Sequence, residues 1–134
     1  MLRVAELMQR DVRTIGEDAM VSEAIVMLAD GHVTALPVLN GQHQLVGLIS
    51  TTDILAAEAE SEGGTALNQV ATHTRVGDIM TTTPKTIEPE AAVKLAAQEM
   101  LYLDVHRLLV VQNGNLLGVI SQSDIVRAVA KGLL

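Results

Sequence analysis

The sequence predicts a mixed α+β protein built from two copies of a β-α-β-β-α repeat. The first observation is a duplication: residues 4–39 align with 76–111 with 10 identities in 36 positions, and residues 45–60 align with 116–131 with 8 identities in 16. The second is that helical and strand-like hydrophobic spacing alternate in the same order in both copies. The third is an aliphatic composition, with 49% hydrophobic but only 1% aromatic residues. A copy of about 55 residues buries too little surface alone, so we expect the two to pack sheet to sheet around a shared core.

The duplication divides the chain into repeat 1 at residues 1–60, a linker at 61–74 and repeat 2 at 75–134. Gly63-Gly64 and the polar residues around it are typical of a linker. Within this linker we expect at most one helical turn, at 66–70.

Repeat 1 contains a strong amphipathic helix followed by a hairpin. Apolar residues at helical spacing predict a helix from Val21 to Ala29, and Gly31 is expected to end it. Two apolar runs flank the polar residues 40–44, which favours a β-hairpin. In order, the predicted elements are a short helix at 4–8, a strand at 14–15, a helix at 21–29, strands at 35–39 and 45–49, and a helix from Thr51.

Repeat 2 is predicted to have the same elements in the same order. After a short helix and the Thr86-Ile87 strand come a helix at 93–101, strands at 108–111 and 116–120, a turn at 112–115 and a helix from about Ser123. The strand after the long helix is entirely apolar in both repeats, as expected of a strand covered on both faces.

Charge and composition exclude several classes of function. The chain has 9 basic and 16 acidic residues, a net charge of −7, and it lacks a basic run, so nucleic acid and anionic lipid are poor partners. It has no cysteine, which removes disulfides and thiolate metal sites. No apolar run approaches the roughly 20 residues that span a bilayer, and the first residues do not resemble a secretory signal. We therefore expect a cytoplasmic protein, and its high mean hydropathy (+0.33) suggests apolar surface buried in an oligomer.

The best-matched stretch of the two repeats is Gly-x-x-Ser-x-(Thr/Ser)-Asp, at residues 47–53 and 118–124. It lies where a strand ends and a helix begins, so free N–H groups and the helix dipole could hold a phosphate or a sugar oxygen. Its hydroxyls can donate to anionic oxygens, and its carboxylate can accept from a ribose diol. The other explanation is a capping box, in which Ser and Asp satisfy only the donors of the helix itself. The sequence leaves both explanations open.

The two repeats resemble CBS domains, which occur in tandem as a Bateman module. The resemblance depends on Met8 and Met80 before the Thr-Ile strands, on the runs at 32–38 and 105–111, and on the two Gly-x-x-Ser-x-x-Asp stretches. It implies a pseudo-twofold pair with two clefts between the sheets, and a regulatory module that binds AMP, ADP, ATP or S-adenosylmethionine and needs no cofactor. It also implies a homodimer formed through helices, with any effector protein being a separate chain.

The resemblance implies a first ligand site around Asp124. Asp124 would accept the ribose hydroxyls, Ser121 and Ser123 would lie near the ribose or phosphate, Val119 would touch the base, and Arg107 would contact the phosphate. The residues that would close this site from the other repeat are Val33, Thr34, Arg13, Thr14 and Ile15.

A second, weaker site is implied around Asp53. It would use Ser50, Thr52 and Leu48, and the other repeat would contribute Lys85, Thr86, Ile87, Val105 and His106. The position that matches Arg107 is Ala35 in this repeat. A charge-assisted hydrogen bond to phosphate contributes about 1.5–3 kcal/mol, so we expect this site to bind phosphate less well. Three outcomes stay open for it: it is empty, it takes a nucleoside-like ligand, or Lys85 supplies the missing charge.

The sequence does not predict a metal site or a catalytic centre. His32, His43, His73 and His106 are not at a recognised ligand spacing with other ligand types, and no nucleophile is paired with a general base. The alternative to ligand sensing is a structural or dimerisation module that has the fold but no physiological nucleotide.

Overall fold

The chain folds into two compact units. The computed structural model describes residues 1–60 and 71–134, so the helical turn predicted at 66–70 lies outside the described residues. The central unit is Arg13–Pro84, and the C-terminal unit combines Met1–Val12 with Lys85–Leu134. Each unit therefore contains the body of one repeat together with the leading segment of the other.

The central unit contains a three-stranded sheet in the order β1-β2-β3. β1 is parallel to β2 with Ile15 opposite Val38, and β2 is antiparallel to β3 with Leu36 opposite Ile49. The elements of this unit are β1 (Ile15–Gly16), α2 (Val21–Gly31), β2 (Ala35–Leu39), β3 (Leu45–Ser50), α3 (Thr51–Glu60) and α4 (Val76–Ile79).

The C-terminal unit has the same sheet topology, in the order β4-β5-β6. β4 is parallel to β5 with Ile87 opposite Val110, and β5 is antiparallel to β6 with Leu108 opposite Ile120. Its elements are α1 (Val4–Leu7), β4 (Thr86–Ile87), α5 (Val93–Leu103), β5 (Arg107–Gln112), β6 (Asn115–Ser121) and α6 (Gln122–Ala130). The predicted α+β class and the hairpin in each repeat are confirmed.

Most of the buried side chains in the described residues form two clusters, one within each unit. The shared core that we expected from sheet-to-sheet packing stays a prediction. The central cluster includes Leu36, Val38 and Ile49, together with Val76 from the leading segment of repeat 2. The C-terminal cluster includes the matching strand residues Leu108, Val110 and Ile120, together with Val4 and Met8 from the leading segment of repeat 1. Each unit thus obtains, from the other repeat, the apolar side chains that complete its core.

Each leading segment lies directly against the last strand of its sheet. The backbones of Gln9 and Val119 exchange two hydrogen bonds of 2.8 and 2.9 Å, and those of Thr81 and Leu48 exchange two of 2.8 and 2.9 Å. A Cβ atom at Gly118 would lie 2.5 Å from the carbonyl oxygen of Gln9. Glycine is therefore required here because the two backbones approach closely.

The ends of the long helices differ from the prediction. Gly31 is the last residue of α2, and the left-handed residue that follows is His32, with φ of 52°. In repeat 2 the corresponding position is Asp104, with φ of 55°, after α5. Both helices are two residues longer than predicted because a non-glycine residue takes the left-handed cap position.

The second hairpin is tighter than predicted. Its strands reach Gln112 and Asn115, which leaves only Asn113-Gly114 in the turn. Both turn residues have positive φ, as a type I′ turn requires. Within residues 1–60 and 71–134, we find no helix with the length and apolar character needed to cross a membrane.

Candidate functional site

The start of α6 is a capping box formed by Ser121 and Asp124. The N–H of Ser121 donates to Oδ2 of Asp124 at 2.9 Å, and the N–H of Asp124 donates to Oγ of Ser121 at 3.2 Å. The N–H of Gln122 donates to the carbonyl of His106 at 2.9 Å, which ties the helix to the start of β5. The capping explanation of this motif is confirmed, and three of the N–H groups at this helix start already have acceptors.

The second carboxylate oxygen of Asp124 faces outside the capping box. Oδ1 accepts the side-chain amide of Gln9 at 3.1 Å and Nη1 of Arg127 at 3.3 Å. Asp124 is 7% exposed. Burial acts to raise the pKa of this carboxyl, but the hydrogen bonds from Ser121, Gln9 and Arg127 outweigh it and lower the pKa. Asp124 is therefore a buried, ionised acceptor at neutral pH.

A pocket of about 170 Å³ lies beside this carboxylate, within the C-terminal unit. Its polar lining includes Gln9, Asp124 and Arg127, and Leu7 and Ala128 contribute apolar surface; Glu6, Lys131 and Leu133 complete it. Ligand pockets usually have volumes of about 300–1,000 Å³, so this one is smaller than a typical complete ligand site.

Arg107 begins β5, directly opposite Ser121 on β6. Its side chain is exposed and has no hydrogen bond or ion pair with the described residues. Arg107 and the Asp124 capping box thus lie at the same end of one β-hairpin. Val119 is half-buried two residues before Ser121, and Ser123 is exposed in the first turn of α6.

The central unit has the same capping arrangement around Asp53. The N–H and Oγ of Ser50 donate to Oδ2 of Asp53 at 2.9 and 3.0 Å, and the N–H of Asp53 donates back to Ser50 at 3.1 Å. Oγ1 of Thr81 donates to Oδ1 at 3.2 Å, in the place that Gln9 takes at Asp124. Ala56 stands where repeat 2 has Arg127, so Asp53 lacks the arginine contact.

The structure divides each predicted site between the two units. The C-terminal unit holds the residues predicted around Asp124 and Arg107, while the partners predicted for them at 13–15 and 33–34 belong to the central unit. Likewise Asp53, Ser50, Thr52 and Leu48 lie in the central unit, and their predicted partners at 85–87 and 105–106 lie in the C-terminal unit. These pairings stay predictions.

Two of the predicted ligand contacts are core residues. Ile15 is 6% exposed and Ile87 is 7% exposed, and each belongs to the hydrophobic cluster of its own unit. Their side chains therefore stabilise the sheets, and the exposed neighbours Arg13, Lys85 and Thr86 are the accessible members of these segments.

Sequence reasoning missed three polar side chains beside the two carboxylates. Gln9 and Thr81 occupy matching positions, each directly after the methionine shared by the repeats, so the alignment held a signal for them. The signal for Arg127 was its spacing of three residues from Asp124 on one helix, which places the two side chains side by side.

A protein-family model for the CBS domain matches residues 4–60 and 76–131. The chain is similar to the chloroplastic CBS domain-containing protein CBSX1 of Arabidopsis thaliana, with 30% identity over 93% of this chain and 63% of CBSX1. It is also 30% identical to 5'-AMP-activated protein kinase subunit gamma-3 of Sus scrofa, over 89% of this chain and 23% of that subunit. The chain thus spans less than two thirds of both curated relatives.

The fold is similar to that of Arabidopsis thaliana CBSX2, crystallised in complex with AMP. The TM-score is 0.80 at 26% identity, and the match covers 98% of both chains.

Proposed function

The chain belongs to the CBS domain family, and from this premise we propose that it is a regulatory module that binds an adenosine compound. Asp124 carries the proposal. It is an ionised, buried carboxylate that lines a pocket together with the two donors to its Oδ1, Gln9 and Arg127, and it lies in the unit that also holds Arg107. A carboxylate accepts hydrogen bonds only, which suits the two hydroxyls of a ribose.

Arg107 supplies the charge for a phosphate in this proposal. It is exposed, it is not paired within the described residues, and it is held by the sheet opposite Ser121. A guanidinium binds phosphate through two parallel hydrogen bonds, which favours phosphorylated adenosine compounds. The AMP bound by the related CBSX2 supports this choice of ligand class.

The proposed order of affinity follows from the difference between the repeats. The Asp124 site is the stronger, because the central unit has Ala35 and Ala56 where the C-terminal unit has Arg107 and Arg127. Asp53 is capped in the same way but without a nearby arginine, so we expect it to bind phosphate weakly.

Titration calorimetry with AMP, ADP, ATP and S-adenosylmethionine tests the proposal. We expect submillimolar binding of at least one compound, lost in Asp124→Ala, whereas Asp53→Ala removes only a weaker binding event. The absence of binding heat with all four compounds would contradict ligand sensing.

The alternative function is a structural or dimerisation module without a nucleotide. Two observations favour it: both aspartates already serve as helix caps, and large apolar side chains are exposed on helices. In the C-terminal unit these are Leu95, Leu101 and Tyr102 on α5, and Val126 and Val129 on α6.

The same apolar side chains support a homodimer formed through helices. Tyr102 is 88% exposed and Leu101 is 78% exposed, and several such residues on adjacent turns typically mark an association surface. Sedimentation at micromolar concentration should show a dimer that Leu101→Glu weakens. A monomer would contradict this part of the proposal.

A further inference from the structure

The carboxylate oxygen that a ligand hydroxyl would need is already occupied by the chain itself. Oδ1 of Asp124 accepts one hydrogen bond from Gln9 and one from Arg127. A carboxylate oxygen offers about two acceptor positions, so Oδ1 has both filled. A hydroxyl that is to bind this oxygen must therefore displace one of the two donors.

Arg127 is the donor that is easier to displace. Its contact of 3.3 Å is longer than that of Gln9, and its side chain is 57% exposed. Gln9 is held in place by two backbone hydrogen bonds to Val119. More than half of the Arg127 side chain is exposed, so its guanidinium stays hydrated when it leaves Asp124, and the ligand hydroxyl takes over its hydrogen bond to the buried carboxylate.

We propose, resting on the adenosine site proposed above, that Arg127 is a specificity-determining residue that competes with ligand hydroxyls for Asp124. Once displaced, its guanidinium lines the same pocket without a partner and can pair with an anionic group of the ligand. A neutral nucleoside gives no new partner to Arg127, whereas a phosphorylated one does. Arg127 therefore adds to the preference for anionic ligands that Arg107 creates. Repeat 1 has Ala56 at this position and lacks the competition.

The test measures the affinities of adenosine and AMP for wild type and for Arg127→Ala. Removing the competitor should make adenosine bind about two- to tenfold more tightly, as expected from the net strength of one hydrogen bond. The affinity for AMP should not increase, so the ratio of AMP affinity to adenosine affinity should fall. Lys131→Ala is the matched control: it removes the same charge from the same pocket, but Lys131 is not among the donors to Asp124 in the described residues.

The salt dependence of adenosine affinity is a second test, because a purely structural role of Arg127 would not change it. Adenosine is uncharged, so its affinity should be insensitive to ionic strength unless binding breaks an ion pair. Because the arginine end of the Arg127–Asp124 pair is exposed, salt weakens the pair, so wild type should bind adenosine more tightly at high salt and Arg127→Ala should not. The unfolding midpoints of both variants confirm that they are folded.

The outcomes separate the two proposals. If wild type binds none of the adenosine compounds, the proposed site itself is wrong. If wild type binds AMP but Arg127→Ala shows the wild-type affinity for adenosine and the wild-type salt dependence, the site stands and the role of Arg127 is overturned. Adenosine binding below detection in both proteins also overturns it.

Discussion

Asp124 and Asp53 show how neighbours make two equivalent side chains different. Both accept the N–H of a serine three residues earlier and both cap a helix. Asp124 also accepts from Gln9 and Arg127, while Asp53 accepts from Thr81. The motif is the same in both repeats, but the neighbours differ, and Asp124 is the more buried of the two carboxyls.

The ionisation of Asp124 should appear in the pH dependence of stability. Its pKa is lowered in the folded state, so the folded protein holds the proton less tightly than the unfolded chain. The stabilisation is therefore complete above the unfolded pKa of about 3.9 and is lost as the pH falls through the lower folded value.

Asp124→Asn should thus be less stable than wild type at pH 7, by about 1–3 kcal/mol, because a charged acceptor of several hydrogen bonds is removed. The difference should shrink below pH 4. Urea unfolding at a series of pH values measures this difference in the free energy of unfolding. A difference that does not change with pH would contradict the lowered pKa of Asp124.

Arg107 is the residue that should separate phosphorylated ligands from neutral ones. Arg107→Ala should weaken AMP binding by about tenfold or more, since a charge-assisted hydrogen bond contributes about 1.5–3 kcal/mol. Calorimetry against AMP measures the loss, and an unchanged affinity would show that the phosphate lies elsewhere. Because Arg107 is exposed and unpaired in the described structure, the fold should be unaffected.

At the scale of elements, each leading segment and the last strand of its sheet form one closely packed pair. Gln9 bonds to β6 through its backbone and to Asp124 through its side chain. Gly118 lies on the same strand, where the segment crosses it. The strand therefore connects the leading segment, the candidate site and the helix α6.

Gly118→Ala should destabilise the C-terminal unit by about 1–3 kcal/mol, the usual cost of overpacking. The added methyl group would lie 2.5 Å from the carbonyl oxygen of Gln9 and 3.1 Å from Sδ of Met8. Gly16→Ala is the control, since its Cβ would meet no atom within 4 Å. Unfolding curves with equal midpoints for the two variants would refute the close approach.

At the scale of the whole molecule, the exchange of leading segments makes each unit depend on both repeats. Val4 is fully buried in the C-terminal core and Val76 is fully buried in the central core, although each belongs to the other repeat by sequence. The duplication visible in the sequence is therefore not the division into compact units.

Because each leading segment packs into the core of the other repeat, a core substitution in it should destabilise that unit. Val4→Ala should speed amide hydrogen exchange mainly in residues 85–134, and Val76→Ala should do so mainly in residues 13–60. The physical reason is the cavity that each substitution leaves in the core it reaches. Faster exchange confined to the repeat that carries the substitution would contradict the exchange of segments.

The sequence predicted most of the fold because its signals were local. Hydrophobic spacing predicted α2, the apolar runs predicted both hairpins, and the Ser-x-x-Asp pattern offered helix capping as one of two explanations, which the structure confirms. It did not predict the left-handed conformation of His32 and Asp104, because a non-glycine residue at that position gives no compositional signal.

The sequence by itself determined the duplication, the order of the elements and the two aspartates. The tertiary structure alone decided which leading segment completes which core, and therefore that Gln9 reaches an aspartate 115 positions away. The reason is physical: local patterns fix local backbone structure, whereas the pairing of distant segments depends on which apolar surfaces fit together in the folded chain.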